Sequence, residues 1–307
     1  MKRELGQFYT VGNCFDLTPV RRWLDRLPRG VYLEPFAGAG AIPRLVGHTD
    51  WHQFDIAPRN ASVMRRDTLL DFPTGYQVCI TNPPYLAANS AKRQGLAFTG
   101  PFDNLYKQAL GLMLAHCPFV GAIVPDSFMA SGLFTERLTT IVSLPFRMFD
   151  DTDVPVCLAL FDPEPTTDFD IWRGNDRLTS HLDLQQYQLP FVKSARWRVG
   201  DPDGAIGCFG VDNQHTRIRF VPGNEIESKV DQSNRAITRI SGPAVDFDAT
   251  NHFLERWRAD THDLLLTSYR GVRADGLFRR RLDWRTAVRL LSATPVCPKG
   301  QFRAIRA

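Results

Sequence analysis

Long apolar stretches are missing from this sequence: the longest run extends only from Val154 to Phe161, far below the ~20 residues that a helix needs to cross a bilayer. No membrane segment is expected. The N-terminal Met1-Lys2-Arg3-Glu4 leads into polar residues, so no signal peptide is expected either. Cysteine is scarce. Six are spread over 307 residues, at positions 14, 79, 117, 157, 208 and 297, with no CxxC pair among them. This excludes zinc-finger spacing and the disulfide framework of a small secreted domain, and points to reduced thiols in a cytoplasmic protein. His48 and His52 stand four residues apart with no third ligand nearby, so no metal site is expected. Internal repeats, low-complexity tracts, a Ser-His-Asp set and a reactive-cysteine setting are likewise absent.

What remains is an ordinary globular composition, 43% hydrophobic and 23% charged, with enough chain for about two domains at ~150 residues each. The net charge of +4 is unevenly placed. Residues 1–162 hold 15 basic and 15 acidic side chains, whereas residues 163–307 hold 22 and 18. Seven arginines fall between 270 and 289, with Tyr269, Phe278 and Trp284 among them. Clustered arginine with interleaved aromatics suits phosphate neutralisation and base contact, and Arg279, Arg280 and Arg281 are its densest point. The competing reading is a solvated basic face.

Short apolar segments alternate with helix-like ones over the first half. Strands are expected at 31–33, 52–54, 62–64, 78–80, 122–124, 146–149 and 156–161, and helices at 20–27 and 105–116, the latter with Leu105, Ala109, Leu112, Leu114 and Ala115 on its apolar face. Such alternation implies a mostly parallel sheet with helices on both faces. Pro163-Glu164-Pro165-Thr166-Thr167 reads as a linker. The expected domains are therefore 1–162 and 163–307, the second a small α+β unit with β-like stretches at 169–172, 206–211 and 216–221 and helices near 251–266 and 283–291.

Thr81-Asn82-Pro83-Pro84-Tyr85 follows an apolar strand directly. The prolines fix φ and remove two backbone donors, giving a stiff turn where open α/β sheets bind ligands. The Asn82 amide oxygen and the Pro83 carbonyl can accept both hydrogens of a planar amino group. That localises the nitrogen lone pair and makes a weak nucleophile stronger without a base. Tyr85 offers a flat face for a ring. An ordinary Pro-Pro turn is the alternative. Upstream, Glu34-Pro35-Phe36-Ala37-Gly38-Ala39-Gly40 also follows a strand, its small residues at 37–40 permitting close approach of a ligand to the backbone. A nucleotide-binding turn of another kind would look similar. Asp55, at the end of the next strand, can hold ribose hydroxyls, and Asp67, after the third, can accept from an adenine amino group.

Gly6-Gln7-Phe8-Tyr9-Thr10, Glu34–Gly40, Asp55, Asp67 and Asn82-Pro83-Pro84-Tyr85 occur in an order that resembles the amino-methyltransferases acting on N6 of DNA adenine, of the arrangement with a C-terminal target-recognition domain. The resemblance covers residues 5–162. It implies a class I methyltransferase fold, Rossmann-like with a seven-stranded sheet, and S-adenosylmethionine as cofactor. Thr10 would bind the methionine carboxylate end. Glu34, Phe36, Ala37 and Gly38 would line the methionine and sulfonium region, Asp55 would take the ribose and Asp67 the adenine. Asn82, Pro83, Pro84 and Tyr85 would hold the target amine, with Phe149, or Phe146 beside it, stacking on the flipped base from the other side. DNA is the implied substrate. Protein glutamine, an RNA base and cytosine N4 stay open as targets of the same chemistry, as does a DNA-binding modification subunit that needs a restriction or specificity partner. Residues 163–307 match no recognition domain of that family.

Overall fold

The structure is a computed structural model that describes residues 10–93, 101–150, 152–191, 196–212, 217–226 and 236–294. It divides into two compact units, Met1–His181 and Leu182–Ala307. Of the Gly6–Thr10 motif only Thr10 lies within the described residues, and Cys297 lies outside them.

The first unit runs α1 (Thr18–Leu24), β1 (Tyr32–Glu34), α2 (Ile42–Val46), β2 (Trp51–Asp55), β3 (Met64–Arg65), β4 (Val78–Thr81), α3 (Ala88–Arg93), α4 (Leu105–His116), β5 (Phe119–Pro125), β6 (Leu138–Ser143), β7 (Val156–Phe161), β8 (Asp170–Arg173) and β9 (Asp176–Ser180). One nine-stranded sheet results, in the order β3-β2-β1-β4-β5-β7-β6-β8-β9. β3, β2, β1, β4 and β5 are parallel, β7 runs antiparallel to both β5 and β6, and β8 is parallel to β6. An order of 3-2-1-4-5-7-6 with the seventh strand reversed is the class I methyltransferase fold, extended here by the β8–β9 hairpin. β4, β5 and β7 are buried on both faces and accordingly read as continuous apolar runs.

Three expectations need correction. The sixth strand is Leu138–Ser143, rich in β-branched residues, and not 146–149. After it the Leu144 N–H bonds the Val156 carbonyl, and Pro145 then removes the next donor. α4 has the expected bounds, but it buries Tyr106, Ala109, Leu110 and Met113, while Ala115 is exposed. The sheet does not end near 162: β8 and β9 follow the linker-like segment and complete it.

The second unit holds α5 (His181–Gln185), which begins on the last residue of the first, then β10 (Arg198–Val199), β11 (Ile206–Phe209), β12 (Arg219–Pro222), β13 (Ile237–Ser241), α6 (Phe247–Asp260), β14 (Thr267–Val272), β15 (Phe278–Arg281) and α7 (Trp284–Ala293). An antiparallel sheet, β10-β13-β11-β12, and a separate β14–β15 ribbon accompany two capped helices. Asp246 accepts from Ala249 N–H at the start of α6, and Asp283 from Arg285 and Thr286 N–H at the start of α7. The Asn251 amide bonds both the N–H and the carbonyl of Phe220 at 2.8 Å, covering part of the β12 edge. Among the described residues no helix is long and apolar enough to cross a membrane.

Candidate active site

Strand order reverses between β1 and β4, since β2 and β3 lie to one side and β5 to the other. A crevice at the carboxyl ends of the strands is expected at such a switch point. The loops that leave β1 and β4 there are those carrying Glu34–Gly40 and Asn82–Tyr85.

The first loop is tied to the end of β2. Ala37 N–H donates to the Phe54 carbonyl at 2.9 Å and Gly38 N–H to Asp55 Oδ2 at 2.8 Å. Gly38 and Gly40 have φ of 54° and 70°, a left-handed backbone that glycine adopts without steric cost. A Cβ on Gly40 would stand 3.1 Å from Gln53 Nε2. That same nitrogen donates to Glu34 Oε2 at 2.7 Å. Glu34 is 1% exposed. Burial pushes its carboxyl up to about 8 against the opposing Gln53 bond, with the Asp55 charge adding to the rise. Asp55 is itself buried, and its Oδ1 accepts from Ala57 N–H at 2.8 Å. Both carboxylate oxygens of Asp55 therefore organise backbone. Thr68 donates to the Pro35 carbonyl at 2.7 Å, which draws the loop after β3, and with it half-buried Asp67, toward the loop after β1. Phe36 is half-buried, whereas Ala37 is buried.

At the end of β4, Tyr85 Oη lies 2.7 Å from Asn82 Oδ1 and 2.7 Å from the Ile123 carbonyl. The hydroxyl carries one proton and donates to one of them at a time. Turning the Asn82 amide over lets Nδ2 donate to Tyr85 while Tyr85 donates to Ile123, and brings the amide oxygen toward Thr10 Oγ1, 3.5 Å from the other amide position. Burial holds the Tyr85 hydroxyl well above the ordinary phenol value, so it stays a donor. Its ring stands edge-to-face with Phe149, centroids 6.0 Å apart, and with Tyr106 at 6.1 Å. Thr10 forms an antiparallel bridge with Phe149, and the Val11 and Gly12 N–H groups both donate to the Met148 carbonyl. Glycine is required at 12, because a Cβ there would lie 2.7 Å from the Arg147 carbonyl oxygen.

The structure thus gathers Thr10, Asn82, Tyr85 and Phe149 in one cluster and Glu34, Gly38 and Asp55 in another. Phe149, however, is 0% exposed and belongs to the core. As a stacking face for a base it is corrected: its ring has no free surface. Phe146 is only partly buried. Arg280 is corrected as well. It lies in the second unit, is 7% exposed, and donates to Ser268 Oγ at 2.6 Å, so it presents nothing to a phosphate. Arg279 donates through Nε to the Asp212 carbonyl and lies over the Tyr269 ring, while Arg281 is half-buried.

Three contributors were not read from the sequence: the Ile123 carbonyl anchors Tyr85, Tyr106 packs against its ring, and Gly12 lets residues 10–12 lie against Met148. His48 stacks on Tyr32, and His52 bonds the Tyr76 hydroxyl at 2.6 Å. Among the described residues no three metal-ligating side chains converge.

No protein-family model matches the sequence, and no curated protein is similar to it by sequence. Solved structures match in part. The type I restriction-modification methyltransferase subunit of Streptococcus thermophilus is 16% identical, over 53% of this chain and 47% of that one, with a TM-score of 0.39. The M protein of the type I restriction enzyme EcoKI is 18% identical over 49% and 45%, with a TM-score of 0.37. A candidate class I S-adenosylmethionine-dependent methyltransferase of Listeria monocytogenes is 13% identical over 53% and 68%, with a TM-score of 0.39. The chain spans about half the length of the first two.

Proposed function

We propose that this protein transfers a methyl group from S-adenosylmethionine to an exocyclic amine, with N6 of adenine in DNA as the target. The observation that carries the reading is the coincidence, at one switch point of a 3-2-1-4-5-7-6 sheet, of a glycine loop flanked by two buried acids and an Asn-Pro-Pro-Tyr turn. The residues present fit the cofactor. Asp55, at the end of β2, would take the ribose hydroxyls, and Asp67 would accept from the adenine amine. Glu34, buried and held by Gln53 Nε2, suits the positive end of the ligand. Gly38 and Gly40 let the ligand lie against backbone, and Thr10 would meet the carboxylate end. Bound there, the cofactor supplies an electrophilic methyl group.

The chain's own part is to hold and orient the acceptor amine. The Asn82 amide oxygen and the Pro83 carbonyl accept its two hydrogens, and Pro84 keeps the turn stiff. Tyr85 walls the pocket, its hydroxyl fixed by Asn82 and Ile123. A target inside a duplex must first be flipped out, at a few kcal/mol of unstacking. The first unit is then the catalytic one and the second the recognition unit, consistent with the basic excess that follows residue 162.

Transfer of tritiated methyl to DNA, RNA and protein by the purified chain tests this. Label in DNA adenine is the expected outcome; label only in protein or RNA keeps the chemistry and replaces the substrate, and no label in any of them rejects it. Asn82→Ala is expected to lower transfer by about 10²–10³-fold, the scale for removing one group aimed at developing charge, with cofactor affinity held within a few-fold. Transfer within about tenfold of wild type would remove Asn82 from the chemistry.

A further inference from the structure

The arginines that crowd 270–289 are largely engaged within the second unit. Arg273 contacts Asp212, Asp263 and Asp275 at 3.2, 3.2 and 2.5 Å. Arg280 is buried on Ser268, and Arg279 is anchored on the Asp212 carbonyl. A different face of the unit holds its arginines more loosely. In the sheet β10-β13-β11-β12, Ile206, Cys208, Phe220 and Ile240 point into the core. Alternation sends their neighbours to the opposite face: Gly207 and Phe209 from β11, Arg219 from β12, Arg239 from β13 and Arg198 from β10.

Register brings these together. Phe209 pairs with Arg219 on one side and Ile237 on the other, and Gly207 pairs with Arg239. The Arg219 guanidinium lies 4.6 Å from the centroid of the Phe209 ring, a cation–π contact. Arg239 donates through Nε to the Gly204 carbonyl at 3.2 Å. Among the described residues Arg219 has no carboxylate partner, whereas Arg239 and Arg198 both act on Asp201. Arg198, its side chain 77% exposed, is 3.8 Å from Asp201. Ile226 packs over Gly207 and supplies an apolar floor between them.

We propose that this outer sheet face, with Arg219 and Arg239 beside the Phe209 ring and Arg198 at its edge, is a nucleic-acid contact surface that takes the phosphodiester backbone. The inference rests on the nucleic-acid reading above. Three arginines that share one described acid, Asp201, leave this face with a net positive charge that matches phosphates. Phosphate contacts of this kind position the substrate without reading its sequence.

The test is salt-titrated anisotropy of the full-length chain on labelled DNA duplex and on RNA of the same sequence. Arg219→Glu with Arg239→Glu is compared with Arg270→Glu and Arg285→Glu, exposed positions in the arginine-rich segment. Losing two phosphate contacts flattens the log–log salt slope by roughly 1.8 and weakens low-salt binding by about tenfold or more. The Arg270/Arg285 pair is expected to stay close to wild type. Arg219→Gln with Arg239→Gln, with melting temperature recorded for all variants, covers the case in which charge reversal unfolds the unit. An unaltered slope in a folded variant, or a loss confined to the Arg270/Arg285 pair, overturns the proposal. The relative loss on duplex and on RNA says which backbone the face prefers. Wild-type binding lost through this face without any methyl transfer rejects the catalytic reading and leaves the face standing.

Discussion

Glu34 is the residue whose ionisation reports most directly on the candidate site. An exposed glutamate titrates near 4.3, whereas burial, with Asp55 adding to it, pushes Glu34 up to about 8 in the folded chain. Between these two values the unfolded chain has released the proton and the folded chain has kept it. The unfolded state then binds fewer protons, so stability falls as pH rises through that window. Urea melts at pH 5, 6.5 and 8 are expected to show this fall in the ligand-free protein and a shallower one in Glu34→Gln. A slope that the substitution leaves unaltered would mean that the Glu34 carboxyl is already ionised at neutral pH. A cationic ligand favours the ionised form, so its binding at pH 7 releases a proton, and calorimetry in buffers of different ionisation heat reads that proton directly.

The ribbon shows at element scale why three consecutive arginines do not make a patch. Successive side chains of a strand point to opposite faces. Arg279 and Arg281 therefore share one face while Arg280 shares the other with Ser268, its cross-strand partner. Arg280→Ala leaves a polar contact unmade in a buried place and is expected to cost about 1–3 kcal/mol. Arg281→Ala, at a half-buried side chain with no described hydrogen bond, is expected within ~0.5 kcal/mol of wild type. Chemical denaturation of the two variants decides, and equal losses would contradict the assigned alternation. The same periodicity explains what was legible in advance. β4, β5 and β7 are continuous apolar runs, and the motifs at Glu34, Asp55 and Asn82 close strands, so their convergence followed from a parallel sheet. Phe149 and β6 did not follow. Leu138–Ser143 mixes threonine with apolar residues and resembles a surface segment, and the burial of Phe149 depends on residues 10–12 pairing beside it. Such long-range contacts leave no local period.

For the first unit as a whole, the extent of the sheet decides which fragment folds. Residues 163–167 read as a linker, yet β8 pairs with β6 from Thr140 to Ser143, and β9 pairs in turn with β8. Gly174 N–H bonds the Ser143 carbonyl, and the Asn175 amide oxygen accepts from Thr18 N–H at the start of α1. A fragment ending at Asp162 would strip these contacts, uncover Ile141 and Val142, and leave β6 as an unprotected edge open to pairing with other chains. A fragment ending at His181 retains the hairpin and the Phe169–His181 ring stack, with centroids 4.5 Å apart. It is expected to melt cooperatively as a monomer and to bind S-adenosylmethionine, since every residue assigned to the cofactor lies within it. The shorter fragment is expected to melt lower and to aggregate as concentration rises. Scanning calorimetry and light scattering on the two fragments decide this. Equal melting temperatures and equal solubility would show that the seven-stranded core stands alone and that the hairpin only decorates its edge.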